Sequence, residues 1–223
     1  MAINRSDETI RKDVENELFW DSRIDEKHID VSVENGAVTL SGRVPSYFQV
    51  NAARRAAWRM PGVTTVVDRL SVSYISPPAI PSDTDLQERA HNVLAWDPAV
   101  DESETDVIVS GGVATVNGTV DAFWKKAHVG DRIAGLHGVM GVENKLAIVP
   151  THDLEDEVIA EDIVGALDRD VLVDADDVTV SVSEGVAQLT GKVPTWSARR
   201  AAEEDASMTR GVVGVKDHLE ILV

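Results

Sequence analysis

The sequence contains no cysteine and no long apolar run, and only 4% of its residues are aromatic. Without cysteine the chain has no disulfide bond, no zinc–thiolate site and no cysteine nucleophile. No apolar run approaches the ~20 residues that span a bilayer, and the first residues lack the apolar core of a secretory signal. We therefore expect a cytoplasmic protein with no signal peptide or transmembrane segment in this chain.

Motifs for catalysis are also missing. The sequence has no Gly-x-Ser-x-Gly nucleophile motif, no P-loop and no Gly-x-Gly-x-x-Gly dinucleotide motif. None of the six histidines aligns with another across the repeats described below, and no pair has the i, i+4 metal spacing with a carboxylate. We predict that the protein is not an enzyme, and we predict no catalytic residue, no metal site and no cofactor.

Basic residues are scarce, with 21 lysines and arginines against 39 aspartates and glutamates, so the formal net charge is −18. The imbalance grows along the chain: residues 1–76 carry a net −1, residues 77–150 carry −6 and residues 151–223 carry −11. Phosphate backbones require a basic surface, so we expect no nucleic-acid partner. Only the first third could approach an anionic surface without strong repulsion.

One sequence pattern occurs three times along the chain. Residues 32–44 return at 108–120 and again at 181–193, with shifts of 76 and 73 residues that stay constant along each copy. Such repetition indicates three units of about 70 residues. We place the units at residues 1–75, 83–149 and 150–223, with a proline-rich linker at 76–82. Because that linker is stiff and the second connector is very short, we expect the last two units to lie close together and the first to be held further away.

Each unit predicts the order helix, strand, strand, helix, strand. Apolar residues at i, i+4 and i+8, such as Ile10, Val14 and Leu18, predict the first helix, and Ser or Thr close to an aspartate before it predicts its N-cap. Alternating valines around an Asn-Gly, Gly-Gly or Glu-Gly turn predict a hairpin. The expected fold class is α+β, with three tandem αββαβ sandwiches, each a small mixed three-stranded sheet with two helices on one face.

Residues shared by the copies are interpreted as structural. One glycine recurs in the second strand of each unit, as Gly42, Gly118 and Gly191. We attribute it to a helix that packs over that point. One aromatic residue recurs at the start of the second helix, as Tyr47, Phe123 and Trp196. We assign it to helix–sheet packing. Trp20 and Trp96 align at the end of the first helix and are interpreted as core residues.

A feature found in one copy only is the candidate for binding. On the second helix of the first unit, three arginines and three aromatics fall on one arc opposite the core stripe. The predicted binding site consists of Phe48, Arg54, Arg55, Trp58 and Arg59. Exposed aromatics beside arginines suit lipid headgroups or a protein partner. The alternatives are that these residues pack against a neighbouring unit or are simply solvated.

Two acidic runs precede the first strand of the second and third units, at residues 101–106 and 174–177. Carboxylate oxygens gather cations, although neither run has the spacing of a calcium loop. The runs therefore motivate an alternative function, in which the protein senses a monovalent cation or a small ligand. The competing interpretation is a solvated loop in an acidic protein.

The repeated residues resemble the BON domain, a family named for bacterial osmotically induced OsmY-type proteins and nodulation proteins. The matching pattern is Val-x-Val-x-x-Gly-x-x-x-Leu-x-Gly-x-Val followed by Gly-Val-x-x-Val-x-x-x-Leu-x-Val, and it covers nearly the whole chain. The resemblance implies an αββαβ fold, no catalytic activity, and association with phospholipid membranes or envelope proteins, often in stress responses. Some cytosolic members of the family bind potassium, so the resemblance also suggests potassium as a ligand.

From the residues and the resemblance together, we expect a non-enzymatic, stress-associated interaction protein. Its expected partner is a phospholipid membrane surface or another protein. Two alternatives stay open at this point. One is a cytosolic sensor of a potassium-type cation or small ligand, and the other is a soluble protein that protects others during osmotic stress.

Overall fold

The computed structural model describes residues 5–73, 81–151 and 154–222, called here units 1, 2 and 3. Most of the predicted linker at 76–82 lies outside the described residues, as do His152 and Asp153 of the cap predicted for the third unit. Each unit follows the predicted order of elements, with a short 3-10 turn before its first strand. The predicted α+β class is therefore confirmed.

The bounds of the elements are equivalent in the three units. Unit 1 contains α1 (Asp7–Trp20), β1 (Ile29–Glu34), β2 (Ala37–Val44), α2 (Tyr47–Trp58) and β3 (Thr65–Val72). Unit 2 contains α3 (Asp83–Ala95), β4 (Thr105–Ser110), β5 (Val113–Val120), α4 (Phe123–Ala134), β6 (Gly141–Asn144) and β7 (Ala147–Ile148). Unit 3 contains α5 (Asp156–Leu167), β8 (Val178–Ser183), β9 (Val186–Val193), α6 (Trp196–Met208) and β10 (Gly214–Ile221).

The second strand is central in every sheet. It pairs antiparallel with the first strand and parallel with the third. In unit 2 the third strand is interrupted, so that β6 and β7 pair with successive parts of β5. The mixed pairing follows from the connections, because a hairpin joins the first two strands and a helix crosses over to the third.

Each unit has its own apolar core between the sheet and its two helices. In unit 1 the stripe of Ile10, Val14 and Leu18 is buried against Leu40 of the central strand. Along α2 the inward positions are mostly alanine, which lets this helix approach the sheet closely. The described core residues therefore match the periodicity of the sequence.

The start of the first helix is tied to the hairpin turn by one aspartate. In unit 1 the Asp7 carboxylate accepts hydrogen bonds from the backbone N–H groups of Asn35 and Gly36, at 2.8 and 2.9 Å. The same pair of bonds recurs in the other units, from Asp83 and Asp156. Serine caps precede α1 and α3 as predicted, whereas the N-cap of α5 is a glutamate that makes no side-chain capping bond.

The recurrent glycine of the second strand has a different cause from the predicted one. Gly42 has a φ of +120°, and a Cβ atom there would lie 2.0 Å from the carbonyl oxygen of His28. Gly118 and Gly191 meet the equivalent carbonyls at the same distance. The prediction of a helix over this point was wrong, because the backbone of the 3-10 turn occupies that space.

The second helices join the three units in a closed ring. Tyr47, at the start of α2, packs against the core of unit 2, and Phe123, at the start of α4, packs against the core of unit 3. Trp196, at the start of α6, stacks on Trp58 of α2 with ring centroids 6.2 Å apart and planes at 14°. These aromatics contact the neighbouring unit, which corrects the helix–sheet role predicted for them.

Unit 1 is therefore not held away from the others, as the linker had led us to expect. Besides the Trp58–Trp196 stack, the Arg55 guanidinium lies 3.9 Å from a carboxylate oxygen of Asp131 in unit 2. The physical reason is the size of the aromatic side chains that begin each second helix. Large apolar rings gain most by being buried, and here the neighbouring unit covers them.

Candidate functional site

Exposed apolar side chains lie at the end of the first helix of each unit. Trp20 is 78% exposed and Trp96 is 87% exposed. Phe19 contacts Trp20 edge to face, with ring centroids 5.1 Å apart. In unit 3 the exposed apolar residues are Val171 and Leu172, two and three positions after Arg169, the equivalent of Trp20 and Trp96. We call these segments tip 1 (residues 19–23), tip 2 (residues 95–99) and tip 3 (residues 168–172).

The exposure of Trp20 and Trp96 corrects their interpretation as core residues. Trp20 follows the buried Leu18 by two positions, which rotates it by about 200° around the helix axis. It therefore points away from the core stripe. A signal for this was present in the sequence, because the equivalent position of unit 3 is a charged residue, Arg169.

An aspartate folds each tip back onto itself. Asp21, Asp97 and Asp170 each accept a hydrogen bond from the backbone N–H two residues later, at 3.1, 3.1 and 2.7 Å. The aspartate lies one, two and three residues after the end of α1, α3 and α5, and an aspartate that binds the backbone in this way forms a turn. The residues before the aspartate in tips 1 and 2, and those after it in tip 3, are thereby presented to solvent.

Hydrogen bonds lower the pKa of the aspartates of tips 1 and 2. The Arg23 guanidinium donates to both oxygens of Asp21, at 2.8 and 2.6 Å, and lowers the pKa of Asp21 to about 2. In tip 2 the N–H of Ala99 lowers the pKa of Asp97, and His128 contributes in the same direction with its Nε2 atom 2.8 Å from Oδ2. The carboxylates of Asp21 and Asp97 are therefore each held in place by several hydrogen bonds.

Tip 3 has a different electrostatic setting. In unit 2 the side chain of Arg132 lies 3.1 Å from Asp97, but the equivalent residue in unit 3 is Asp205. Burial raises the pKa of Asp205, and the nearby charges of Asp170 and Glu204 add to the effect. Its Oδ2 atom is buried without a hydrogen-bond partner among the described residues. The position that supports Asp97 in unit 2 is therefore a carboxylate in unit 3, and the cation that acts on this carboxylate is Arg169 of tip 3 itself, which lowers its pKa.

The α2 residues predicted to bind a partner divide into two groups. Trp58 and Arg55 are half-buried at the contacts between units, where Trp58 stacks on Trp196 and burial lowers the pKa of Arg55. Phe48, Arg54 and Arg59 are exposed. Four of these residues lie on α2 and Arg59 is its C-cap, but the five do not form one open patch.

The exposed arginines of this group also have local partners. Arg54 donates to the amide oxygen of Asn51 at 3.2 Å, and Arg59 pairs with Glu17 of α1. Both guanidinium groups keep much of their surface in solvent. A binding role for Phe48, Arg54, Arg55, Trp58 and Arg59 stays a prediction.

The acidic runs serve as turn caps. Asp101 accepts hydrogen bonds from the N–H and the hydroxyl of Ser103, at 3.0 and 2.7 Å, and Asp174 accepts one from the N–H of Asp176 at 3.2 Å. Across residues 5–73, 81–151 and 154–222, no three or more histidine, cysteine or acidic side chains are grouped so that they could hold a metal ion. In the same ranges no helix is both long and apolar enough to cross a membrane.

Comparison with known proteins assigns these units to a family. The model of the BON domain matches residues 6–74, 82–150 and 155–222. This chain belongs to the BON domain family. Each match overlaps one unit of the structure, and the resemblance inferred from the repeated motifs is confirmed.

Individual relatives share less than a third of their aligned residues with this BON protein. Osmotically-inducible protein Y of Escherichia coli (strain K12) is 29% identical over 143 residues, which cover 63% of this chain and 71% of that protein. A solved structure of CdsD, a structural protein of the Type III secretion system of Chlamydia trachomatis, aligns over 95% of this chain and 91% of its own, with 16% identity and a TM-score of 0.27. The C-terminal domain of CdsD aligns over 95% and 96%, with 17% identity and a TM-score of 0.27.

Proposed function

We propose that this BON protein is a non-enzymatic, stress-associated protein that binds the surface of a phospholipid membrane through its tips. The observation that carries the proposal is the exposure of two equivalent tryptophans, Trp20 and Trp96, at 78% and 87%. An indole ring is apolar with one N–H donor, and it is at its most stable at the boundary between headgroups and acyl chains.

The form of the tips favours a lipid surface over a protein partner. Each tip presents one or two apolar side chains at the end of a helix, and the three tips belong to separate units. A stable protein interface buries a continuous surface of about 800 Å² on each partner. A bilayer has no such requirement, because it accepts separate side chains wherever they reach it.

The net charge of the chain determines which lipids it binds. With a net charge of −18, the protein is repelled by anionic headgroups, so the free energy of binding comes from apolar insertion. We therefore expect stronger binding to zwitterionic than to anionic vesicles at low salt. Added salt screens the repulsion and narrows the difference.

The link to stress rests on similarity. The relative from Escherichia coli is named for its osmotic inducibility. We carry that property over as part of the proposal.

Vesicle flotation tests the proposal. The unchanged chain is mixed with phosphatidylcholine vesicles, or with vesicles that also contain phosphatidylglycerol, and the bound fraction is measured. We expect the double variant Trp20→Ser, Trp96→Ser to bind at least about tenfold more weakly, because it loses two inserted indoles. Ile108→Ser is the matched control, because Ile108 is 52% exposed on the outer face of a sheet, away from the tips.

The outcomes distinguish the tips from the α2 site predicted by the sequence. Binding through Phe48, Arg54 and Arg59 would prefer anionic vesicles and would be lost in Arg54→Glu. Binding through the tips is unchanged in Arg54→Glu. If the unchanged chain binds neither kind of vesicle, the membrane proposal is wrong and a protein partner or a protective role takes its place.

A further inference from the structure

The first strand of each unit lies at the edge of its sheet, where it pairs with the second strand. The first helix of the unit packs beside it, through the contacts α1–β1, α3–β4 and α5–β8. In an antiparallel pair, alternate residues point their N–H and C=O groups away from the partner strand. Such an edge can pair with a strand of another chain, so folded proteins usually cover it or place charges on it.

Unit 2 covers this edge with two side chains of α3. The N–H of Val107 donates to Nε2 of His91, and the N–H of Val109 donates to the amide oxygen of Gln87, both at 3.4 Å. These two N–H groups therefore point outwards from the sheet. A strand that approached β4 would have to displace both side chains.

Unit 1 protects the same edge with charge. The positions equivalent to the two covering residues of α3 are Arg11 and Glu15, which form an ion pair with an N–O distance of 2.6 Å. The strand β1 itself carries Asp30 and Glu34. An incoming strand would have to desolvate these charged groups, which makes its addition unfavourable.

Unit 3 has neither kind of protection. The equivalent positions of α5 are Ala160 and Val164, whose side chains contain no hydrogen-bond acceptor, and Val164 is 44% exposed. By equivalence with unit 2, the N–H groups that point outwards are those of Val180 and Val182. The strand β8 consists of valine, threonine and serine alone, and valine and threonine favour an extended backbone. It is therefore an open edge that suits an additional strand.

The surroundings of this edge are acidic. Residues 151–223 carry a net charge of −11. A second copy of unit 3 would bring the same charge, so pairing between copies is opposed, whereas a basic segment is attracted. The helix α5 contains no basic residue, and its acidic residues are Asp156, Glu157, Glu161 and Asp162.

We infer that β8 is a docking site for an extended, basic segment of a partner protein, which adds to the sheet of unit 3 as a further strand. Backbone hydrogen bonds to Val180 and Val182 give this mode of binding its affinity, and the acidic side chains of α5 select a basic segment. The inference does not depend on the membrane function, because β8 and α5 contain no residue of a tip.

The test uses a synthetic peptide of alternating lysine and valine, about as long as β8, with blocked ends. Its binding to the full chain is measured by calorimetry at low salt, beside that of a peptide in which glutamate replaces lysine. We expect the basic peptide to bind at least about tenfold more tightly than the acidic one. It should also slow the exchange of the Val180 and Val182 amide hydrogens by at least about tenfold, because both groups gain an acceptor.

A double variant transfers the protection of unit 2 to unit 3. Ala160→Gln with Val164→His places an acceptor beside each outward N–H of β8, and we expect it to weaken binding of the basic peptide by at least about tenfold. Val158→His is the matched control. Val158 is also exposed on α5, at 43%, but lies about 120° around the helix axis from Val164. The control should bind the peptide as the unchanged chain does.

The results separate the alternatives. If neither peptide binds, or if the bound peptide leaves the Val180 and Val182 amides unprotected, the docking site is overturned. Equal binding by the double variant and the control also overturns it, and equal binding of the two peptides overturns the choice of a basic segment. If analytical ultracentrifugation shows dimers of the unchanged chain that the double variant abolishes, the edge pairs with a second copy and the proposed partner is wrong.

Discussion

At residue 118 the second strand of unit 2 passes so close to the 3-10 turn that only glycine fits. A Cβ atom would lie 2.0 Å from the carbonyl oxygen of Glu104, and the φ of +117° is one that other residues rarely adopt. Gly111, in the hairpin turn of the same unit, is less constrained. Nothing lies within 4 Å of its Cβ position, and the equivalent residues Asn35 and Glu184 have φ values of 50° and 53°.

Two substitutions in unit 2 test this difference. We expect Gly118→Ala to lower the free energy of unfolding by at least about 3 kcal/mol, because both the strain and the clash must be relieved. Gly111→Asn should change it by no more than about 0.5 kcal/mol. Urea unfolding followed by circular dichroism measures both. A Gly118→Ala chain as stable as the unchanged protein would contradict the account of the close approach.

At the scale of elements, the first helix of each unit is joined to the hairpin it covers. The first residue of α3, Asp83, accepts hydrogen bonds from the N–H groups of Gly111 and Gly112 at 2.8 and 2.9 Å. Hydrogen bonds to a charged acceptor are about twice as strong as neutral ones. The carboxylate also lies in the first turn of the helix, where the helix dipole favours a negative charge.

Removal of this link should loosen the hairpin turn. We expect Asp83→Ala to cost about 2 kcal/mol and to speed the exchange of the Gly111 and Gly112 amide hydrogens by at least tenfold, because two donors lose their acceptor. Amide hydrogen exchange is the measurement. Thr84→Ala, one residue further along and exposed, is the matched control and should leave both amides protected. If the Gly111 and Gly112 amide hydrogens exchange equally fast in the two variants, Asp83 does not stabilise the turn.

At the scale of the whole molecule, three small domains are held by a few large aromatic side chains. The Trp58–Trp196 stack closes the ring, and Arg200 lies over the Trp196 ring at 5.7 Å. Aromatic pairs of this kind contribute about 1 kcal/mol beyond the area that they bury. The ring contacts are therefore stabilising but few, so a single substitution should open one of them.

Trp196→Ser should open the ring while the units stay folded. A fully compact chain of this length has a radius of gyration of about 17 Å, and loss of the contact between units 3 and 1 should raise the measured value. Small-angle X-ray scattering gives the radius, and the circular dichroism spectrum reports whether the units remain folded. Trp96→Ser is the matched control, because Trp96 is exposed at tip 2, and it should leave the radius unchanged. An unchanged radius of gyration in the Trp196→Ser variant would show that other contacts close the ring.

Much of each unit was predictable from local patterns. The stripe of Ile10, Val14 and Leu18 predicted α1, and the alternating valines with their glycine turns predicted the hairpins. These patterns succeed because helix and strand periodicity record which face is buried. The tips were missed because Trp20 and Trp96 recur at equivalent positions, and recurrence does not distinguish a buried side chain from an exposed one.

The number of units, their αββαβ order and their BON pattern can be predicted from the sequence, because each of these depends on local residue patterns that recur in every unit. The role of the aromatic residues follows only from the folded arrangement of the units. The sequence around Tyr47, Phe123 and Trp196 does not show whether each ring packs on the sheet of its own unit or on a neighbouring unit. Whether an aromatic side chain is covered depends on surfaces brought together from distant parts of the chain, and that information is not local.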